Sequence, residues 1–307
     1  SHFRDGNLLV IASAPLDERH VVSLWSQLEC FTAGIDKIVL AVPLGSETIV
    51  TKLVSEMKQK LPHLPDIVAH YVKNDRYDVG LWCDALELEG FVRGTETTKE
   101  NVPFGNTLLL NDSVFALRHF NGILEELQDT DYRVVGLSSS MSRGYWLESI
   151  FRGFSYKGIQ TFMKHSCVPV THSSFGPKLT SPVKKKRRIV HYHEIKLAYR
   201  FWPNRRTALY SADPTPNWWP KKDQNVTWVQ NEKLWRTLKD EQRFPVAKVN
   251  QEYAVPTLDS PLIQPCTAKL NMDFVRSLDF ASFHHISPLK NPTEESSSTT
   301  RESGDNQ

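Results

Sequence analysis

The amino-acid sequence predicts an α/β protein with a mostly parallel sheet and helices on both faces. Two observations lead to this prediction. Short apolar runs that stop at proline, glycine or polar residues recur through the first 140 residues, and between them apolar residues recur at helical spacing. Strands that alternate with helices of about 10–15 residues form βαβ units, which place the strands parallel in one sheet.

The predicted strands and helices follow one another in a regular order. Five strands are expected at Asn7–Ala12, Lys37–Val42, Asp66–Val72, Thr107–Leu110 and Arg133–Leu137. Each of the first four should be followed by a helix, with apolar residues recurring over 21–31, 49–57, 79–88 and 114–127. After residue 144 the pattern loosens into short helices at Tyr145–Phe154 and Gly158–His165, an irregular aromatic-rich stretch, and a helix at Asn231–Lys239.

Composition and charge exclude several classes of protein. Apolar residues make up 40% and charged residues 23% of the 307, which is typical of a globular chain. Lys and Arg number 37 against 35 Asp and Glu, so the net charge of +2 does not favour a nucleic-acid partner. No apolar run approaches the ~20 residues of a membrane helix. The chain begins at Ser1 with no signal-like segment, so we expect the native N-terminus, with any anchor, to precede it.

The spacing of the cysteines and the absence of several known motifs exclude further kinds of site and enzyme. The spacing of Cys30, Cys83, Cys167 and Cys266 excludes a CxxC metal or redox motif and leaves two long-range disulfides open. Neither GxGxxG nor GxxxxGK[ST] occurs, so a dinucleotide-dependent dehydrogenase or a P-loop NTPase is not expected. HExxH and GxSxG are missing as well. What remains is a set of acidic and amide residues at strand ends, where α/β sheets bind ligands.

The segment after the fourth predicted strand carries the strongest local signal. Asn111, Asp112 and Ser113 follow a buried apolar run and should lie at the ligand-binding edge of the sheet. There a carboxylate such as Asp112 is suited to hold a divalent cation that bridges two phosphates. The alternative interpretation is that these residues only cap a following helix.

A second polar segment follows the third predicted strand. Arg76 is suited to clamp a diphosphate or a carboxylate, and Asn74 and Asp78 to hydrogen-bond a base, ribose or sugar. The alternative is a polar loop in which Asp78 caps the next helix. Ser13, at the end of the first strand, belongs to the same predicted edge and is a further candidate for donor binding.

Several segments, in order along the chain, resemble rhamnan synthesis protein F-type glycosyltransferases. They are Val10–Pro15, His20–Trp25, Asn74–Gly80, Leu109–Phe115, Val135–Leu137, Glu194–Ile195, Trp235–Leu238 and Phe244–Lys248. The resemblance covers roughly residues 8–250. It implies a GT-A-like, Rossmann-related transferase that moves a sugar, typically rhamnose, from a nucleotide diphosphate donor to a glycan hydroxyl.

The resemblance also implies roles for individual residues. Asn74, Arg76 and Asp78 match the donor-side motif of the family, and Asn111 and Asp112 stand where other GT-A enzymes carry Asp-x-Asp. It implies a divalent cation, Mn²⁺ or Mg²⁺, at Asp112. A late histidine often completes such a site, and His193 is the candidate here; the alternative is an ordinary structural histidine.

Candidates for the acceptor side come from the residues after 144. Glu148 occupies a predicted helix facing the cleft and is the candidate for the base that takes the acceptor proton. Trp218 and Trp219 lie in a proline-rich turn and offer flat faces for stacking on a sugar. The alternatives are that Glu148 is an ordinary glutamate on a helix surface and that Trp218 and Trp219 only pack in the core or in a lid. The basic run 184–188 is interpreted as a solvated turn that can contact anionic lipid; the alternatives are a loop that closes over the diphosphate and a nuclear-localisation or nucleic-acid-binding patch.

These inferences combine into one expected organisation. Residues 1–255 should form a glycosyltransferase domain, with a donor-nucleotide half to about 144 and an acceptor half from 145, followed by an extension over 256–307 that is polar and disordered from about 291. The alternative is a non-catalytic glycan- or nucleotide-binding module on the same fold. The expected location is the Golgi lumen if a eukaryotic anchor has been trimmed, and otherwise the cytoplasmic face of a membrane.

Overall fold

The structure is a computed structural model that describes residues 6–74, 76–94, 102–140, 146–167, 193, 196–201, 205–211, 232, 235–236 and 244–281. Ten strands lie within these ranges: β1 (Asn7–Ala12), β2 (Lys37–Pro43), β3 (Asp66–Val72), β4 (Asn106–Asn111), β5 (Val114–Ala116), β6 (Val134–Ser140), β7 (Trp146–Leu147), β8 (Phe151–Ser155), β9 (Arg206–Ser211) and β10 (Val246–Lys248). The helices are α1 (Glu18–Cys30), α2 (Glu47–Lys60), α3 (Tyr77–Leu88), α4 (Gly122–Asp129), α5 (Tyr156–His165), α6 (Lys196–Tyr199) and α7 (Met272–Arg276). No helix of the described residues is long and apolar enough to span a bilayer.

Eight of the strands form one mixed sheet. Its order is β3-β2-β1-β4-β8-β6-β7, with β9 also paired to β6. The first four of these are parallel neighbours, and β9 runs parallel to β6. Only β7 and β8 run antiparallel to their neighbours. Both pair with the edge of β6 opposite β9, so they form one antiparallel strand interrupted over residues 148–150.

Two apolar layers cover the faces of this sheet. On β1, Leu9 and Ile11 pack in the layer that contains the buried sides of α1, α2 and α4. Leu8 and Val10 point the other way, into the layer that contains α3 and α5. This alternation follows from the two-residue repeat of a strand, and burial on both faces explains why residues 8–12 are all apolar. The α/β prediction with helices on both faces is therefore confirmed.

One predicted helix begins later than expected, and another is wrong. The residues from Val114 do not continue into a helix, because β5 pairs antiparallel with β10, and α4 begins only at Gly122. The helix expected over Tyr145–Phe154 is absent, because β8 inserts between β4 and β6. In both cases partners distant in sequence satisfy the backbone, and this tertiary pairing overrides the local helical spacing.

Two disulfides join distant parts of the described chain. Cys30, at the end of α1, is bonded to Cys266 with 5.6 Å between the Cα atoms, and Cys83, in α3, is bonded to Cys167 with 5.1 Å. Both long-range bridges that the spacing left open are thus present. The first attaches the described part of the predicted extension to α1, where Val275 and Leu278 complete the apolar layer.

We expect alanine at Gly158 to destabilise the fold strongly. A Cβ at this position in α5 would lie 1.7 Å from the backbone oxygen of Arg133, which accepts a hydrogen bond from the Ser155 N–H. Helix and strand would have to separate, at a cost of about 3 kcal/mol or more. Urea denaturation of Gly158→Ala measures this. Gly6→Ala is the matched control, because its nearest neighbour would be 3.5 Å away; equal midpoints for the two variants would contradict the expected clash.

Candidate functional site

The carboxyl ends of β1 and β4 bring Asp112 and Ser13 together. The strands are parallel with Ala12 opposite Asn111, so the residues directly after them lie side by side. Asp112 Oδ2 accepts hydrogen bonds from Ser13 Oγ at 3.0 Å and from the Ala14 N–H at 2.8 Å. Two predicted site residues thus share one buried hydrogen-bond network, and Asp112 is 8% exposed.

Burial perturbs the acidity of Asp112. Removal from water, opposed by the charge of His20 and supported by the negative charge of nearby Asp78, raises the pKa of this carboxyl from 3.8 to about 6. The carboxylate accepts its described hydrogen bonds through Oδ2, so Oδ1 is available to a ligand. A buried carboxylate next to a second carboxylate would be stabilised by a bound cation.

Asn111 links the two predicted donor segments. Its side-chain N–H donates to Asp78 Oδ2 at 2.9 Å, which ties the end of β4 to the first turn of α3. Its Oδ1 accepts hydrogen bonds from the Ser113 N–H at 3.1 Å and from the Ser113 hydroxyl. Because β5 comes directly after these residues, the interpretation of 111–113 as a cap of the next helix is wrong.

Two residues around this network were not among the predicted site residues. Lys248 Nζ donates to Ser113 Oγ at 2.9 Å from a strand 135 residues further along the chain. Gln27, on α1, donates to the backbone oxygen of Asn111 at 2.8 Å. Lys248 belongs to a segment that resembles the family, but its proximity to Ser113 depends on the β5–β10 pairing.

The segment between β3 and α3 is strained and polar. Tyr77, the first residue of α3, has φ = 54°, a left-handed conformation that is uncommon for residues other than glycine. Such strain clusters at functional sites. Arg76 donates to Asp84 Oδ1 at 3.2 Å. Asn74 Oδ1 is buried and accepts no hydrogen bond within the described part of the chain. Asn74 and Arg76 therefore lie just before a residue with an uncommon backbone conformation.

His193 lies beside arginines. It is 3% exposed, and neither ring nitrogen has a hydrogen-bond partner among the described residues. Burial and the positive charges of Arg76 and Arg152 together lower its pKa from 6.5 to about 4. The Arg152 guanidinium is itself buried, 5.9 Å from the centre of the Trp82 ring. The imidazole is therefore neutral at physiological pH and lies in a positively charged environment.

These surroundings bear on the predicted cation site. Within the described ranges, no three His, Cys, Asp or Glu side chains are grouped in a way that could hold a metal ion. The carboxylates of Asp112 and Asp78 influence one another, whereas the charged neighbours of His193 are guanidinium groups. A carboxylate oxygen such as that of Asp112 is a suitable ligand for Mg²⁺ or Mn²⁺. The roles of Asp112 and His193 as metal ligands stay predictions.

Glu148 lies at the junction of β7 and β8 and not on the helix that was expected. Its N–H donates to the Ser138 carbonyl oxygen at 3.0 Å, and its Oε2 accepts a hydrogen bond from the Ser138 hydroxyl. The residue is 2% exposed. It is therefore held near the carboxyl end of β6. In the strand order of the sheet, β6 is separated from β4 by β8. Its role as base stays a prediction.

A histidine that was not among the predicted site residues lies near Asp112. His20 is in the first turn of α1, where Asp17 caps the helix by accepting a hydrogen bond from the His20 N–H at 3.0 Å. His20 begins one of the segments that resemble the family, and the spacing of Asp17 and His20 is also typical of an ordinary helix start. The predicted acceptor residues Trp218 and Trp219 and the basic run 184–188 lie outside the described residues.

Comparison with known proteins identifies no family. No protein-family model and no curated protein matches the chain. Among solved structures, the glycosyltransferase GlyE of Streptococcus pneumoniae TIGR4 is similar over 92% of this chain and 62% of its own, with 10% identity and a TM-score of 0.44. Mouse xyloside xylosyltransferase 1 is similar over 67% of this chain and 85% of its own, with 12% identity and a TM-score of 0.37.

A third similar structure has a different activity in its name. The 4-diphosphocytidyl-2C-methyl-D-erythritol synthase of Anaerococcus prevotii is similar over 79% of this chain and 100% of its own, with 10% identity and a TM-score of 0.39. Values this low transfer neither an activity nor a substrate to this chain. The resemblance to the rhamnan synthesis family stays a prediction.

Proposed function

We propose that this protein is a glycosyltransferase that moves a sugar from a nucleotide diphosphate donor to a glycan hydroxyl. The observation that carries this proposal is the two hydrogen-bonded pairs Ser13–Asp112 and Asn111–Asp78, which lie next to each other at the carboxyl edge of the parallel strands. Ligands of open α/β sheets bind at this edge. Rhamnose as the transferred sugar, in polysaccharide or glycoconjugate synthesis, rests on the sequence resemblance.

The donor half of the site would bind the nucleotide diphosphate. Asp112, through Oδ1, and Asp78 would hold a divalent cation, Mn²⁺ or Mg²⁺, which when bound neutralises charge on the diphosphate. Asn74 offers a buried acceptor without a partner among the described residues, and Arg76 offers a cationic donor of hydrogen bonds. Together they can orient the donor so that its anomeric carbon faces the acceptor.

The acceptor half would supply the base. Glu148 is buried and hydrogen-bonded to Ser138, so its carboxyl has a defined position near the end of β6. In an inverting transfer it would take the proton of the acceptor hydroxyl as the diphosphate leaves. Trp218 and Trp219 are proposed to stack on the acceptor sugar.

The two disulfides support the proposal that the protein acts in an oxidising compartment. All four cysteines of the sequence are paired, and such bridges persist in oxidising compartments. We place the protein in the lumen of a secretory compartment such as the Golgi, in preference to a reducing cytoplasm. Contact with a membrane surface through the basic run 184–188 is part of the same proposal.

Thermal unfolding against nucleoside diphosphates and nucleotide sugars, with Mn²⁺, Mg²⁺ or a chelator, tests the function. A ligand present at 100 times its Kd stabilises the folded state by about 2.7 kcal/mol, so one diphosphate class should raise the melting temperature by several degrees. Glu148→Gln should keep that shift and lose sugar transfer. A folded protein that responds to no nucleotide would contradict the proposal and favour the glycan-binding module, which a glycan array then examines.

A further inference from the structure

The start of α1 holds an imidazole in a fixed orientation. Asp17 Oδ1 lies 2.8 Å from His20 Nδ1 and also accepts the His20 backbone N–H at 3.0 Å. The double contact fixes the ring, so Nδ1 carries a hydrogen and donates it to the carboxylate. No described residue hydrogen-bonds to Nε2, and the His20 side chain is 23% exposed. The ring therefore presents Nε2 to whatever occupies the space beyond it.

His20 lies close to the donor side of the candidate site. The loop between β1 and α1 supplies Ser13 Oγ and the Ala14 N–H to Asp112. Asp112 and His20 are near enough that the charge of each shifts the pKa of the other. The imidazole thus lies on the same side of the sheet edge as the carboxylate at which the diphosphate is proposed to bind.

We propose that His20 is a catalytic residue whose Nε2–H donates a hydrogen bond to the β-phosphate of the departing nucleoside diphosphate, with Asp17 as its positioning residue. This inference rests on the proposed function and adds to it a group that stabilises the leaving group. His20 lies in the first turn of α1, where the positive end of the helix dipole favours a bound anion.

The step balances without a further reactant. The acceptor oxygen forms a bond to the anomeric carbon, and the bond from that carbon to the β-phosphate oxygen breaks with its electron pair left on the oxygen. The acceptor proton goes to the base. His20 transfers no proton; it places a positive charge and one hydrogen bond where negative charge grows, which is the most effective location for such a donor.

The charges around the ring favour its protonated form. Burial lowers the pKa of His20, but the hydrogen bond to Asp17 and the charges of Asp112 and Asp17 raise it, and they outweigh burial and the positive charge of Arg19. Arg19 is held elsewhere, since its guanidinium donates to the carbonyl oxygens of Val249 and Val255 at 2.8 Å. The net direction is upward from the ordinary value of 6.5.

Calorimetric titration of the full chain with a nucleoside diphosphate and its monophosphate tests the role of His20. The diphosphate that succeeds in the thermal screen is used, with pyrophosphate as a probe of the phosphates alone. In His20→Gln, diphosphate affinity should fall about tenfold, as for one charged hydrogen bond, while monophosphate affinity should not change. Wild-type diphosphate affinity should also decline as the pH rises and His20 loses its proton, and His20→Gln should lack that part of the decline.

Two further variants separate this role from a structural one. Asp17→Asn keeps a good helix cap and an oxygen for Nδ1, but it removes the negative charge, so the pH dependence should move to lower pH. His63→Gln alters an exposed histidine in a turn and should bind like wild type.

The outcomes distinguish this inference from the proposed function. Wild-type diphosphate binding with an unchanged His20→Gln, or equal losses of mono- and diphosphate affinity, would overturn the role of His20 and leave the glycosyltransferase proposal standing. If the wild-type protein binds no nucleotide and no pyrophosphate, both proposals fail.

Discussion

Asp112→Asn is expected to abolish sugar transfer while making the ligand-free protein more stable. Burial raises the pKa of Asp112 from 3.8 to about 6, so the ionised carboxylate disfavours the folded state. At 1.36 kcal/mol for each pKa unit, this cost is at most about 3 kcal/mol once the carboxyl is ionised. Asparagine keeps an oxygen for Ser13 Oγ and the Ala14 N–H and carries no charge. It should therefore keep the fold and remove the cost.

The sign of the pH effect follows from the same shift. Because the folded-state pKa lies above the unfolded value, the folded state binds the proton more tightly, and the free energy of unfolding declines as pH rises from about 4 through about 6. The Asn variant should lack this decline and should be more stable than wild type at neutral pH in the presence of a chelator. Loss of the negative charge should reduce turnover by at least about a hundredfold.

Urea denaturation across pH, together with turnover of the donor found in the thermal screen, measures both effects. Asp129→Asn, an exposed substitution on α4, is the matched control and should change neither property. An Asp112→Asn protein that is less stable at neutral pH would show that the carboxylate is stabilising, contrary to the burial argument. Retained turnover would remove Asp112 from the proposed mechanism.

Loss of the Cys30–Cys266 bridge is expected to destabilise the protein by about 2–5 kcal/mol. The bond closes a span of 236 residues and holds the segment around Gln264–Cys266 against the end of α1. Both cysteines are buried, and the apolar residues on either side of Cys266, including Ile263 and Val275, pack in the layer that contains α1. Without the bond, this segment would keep only its apolar contacts.

Cys30→Ala, Cys266→Ala and the double variant should share nearly the same unfolding midpoint, since each removes the same bond. Limited proteolysis should then cleave first within 256–281, because local opening of this segment no longer requires the bridge to break. The reduced wild-type protein serves as a comparison, because reduction breaks the Cys83–Cys167 bridge as well. A double variant as stable as the oxidised wild type would contradict this expectation.

The sequence predicts most of the donor half and less of the chain after residue 144. The five expected strands and the helices before residue 90 lie within a few residues of their observed bounds, because each has a clear repeat and a local stop signal. Asn111, Asp112 and Asp78 are predicted to lie at one edge, and Asn111 joins the two segments directly. Parallel strands bring their carboxyl ends to one edge, so this proximity follows from order along the chain.

The predictions fail where a distant partner decides the local structure. Val114–Ala116 has apolar residues that suit a helix or a strand, and β10, some 130 residues away, selects the strand. The same applies to Glu148, which is predicted on a helix and lies between β7 and β8.

What the amino-acid sequence by itself determined is therefore the alternation of strands and helices, the polar residues at the strand ends and the spacing of the cysteines. Only the tertiary structure decided that β8 enters the sheet antiparallel, that Cys30 pairs with Cys266, and that His20 lies near Asp112. The physical reason is the range of the interactions. Periodicity and capping act within a few residues, whereas hydrogen-bond partners, burial and pKa values depend on residues brought close by folding.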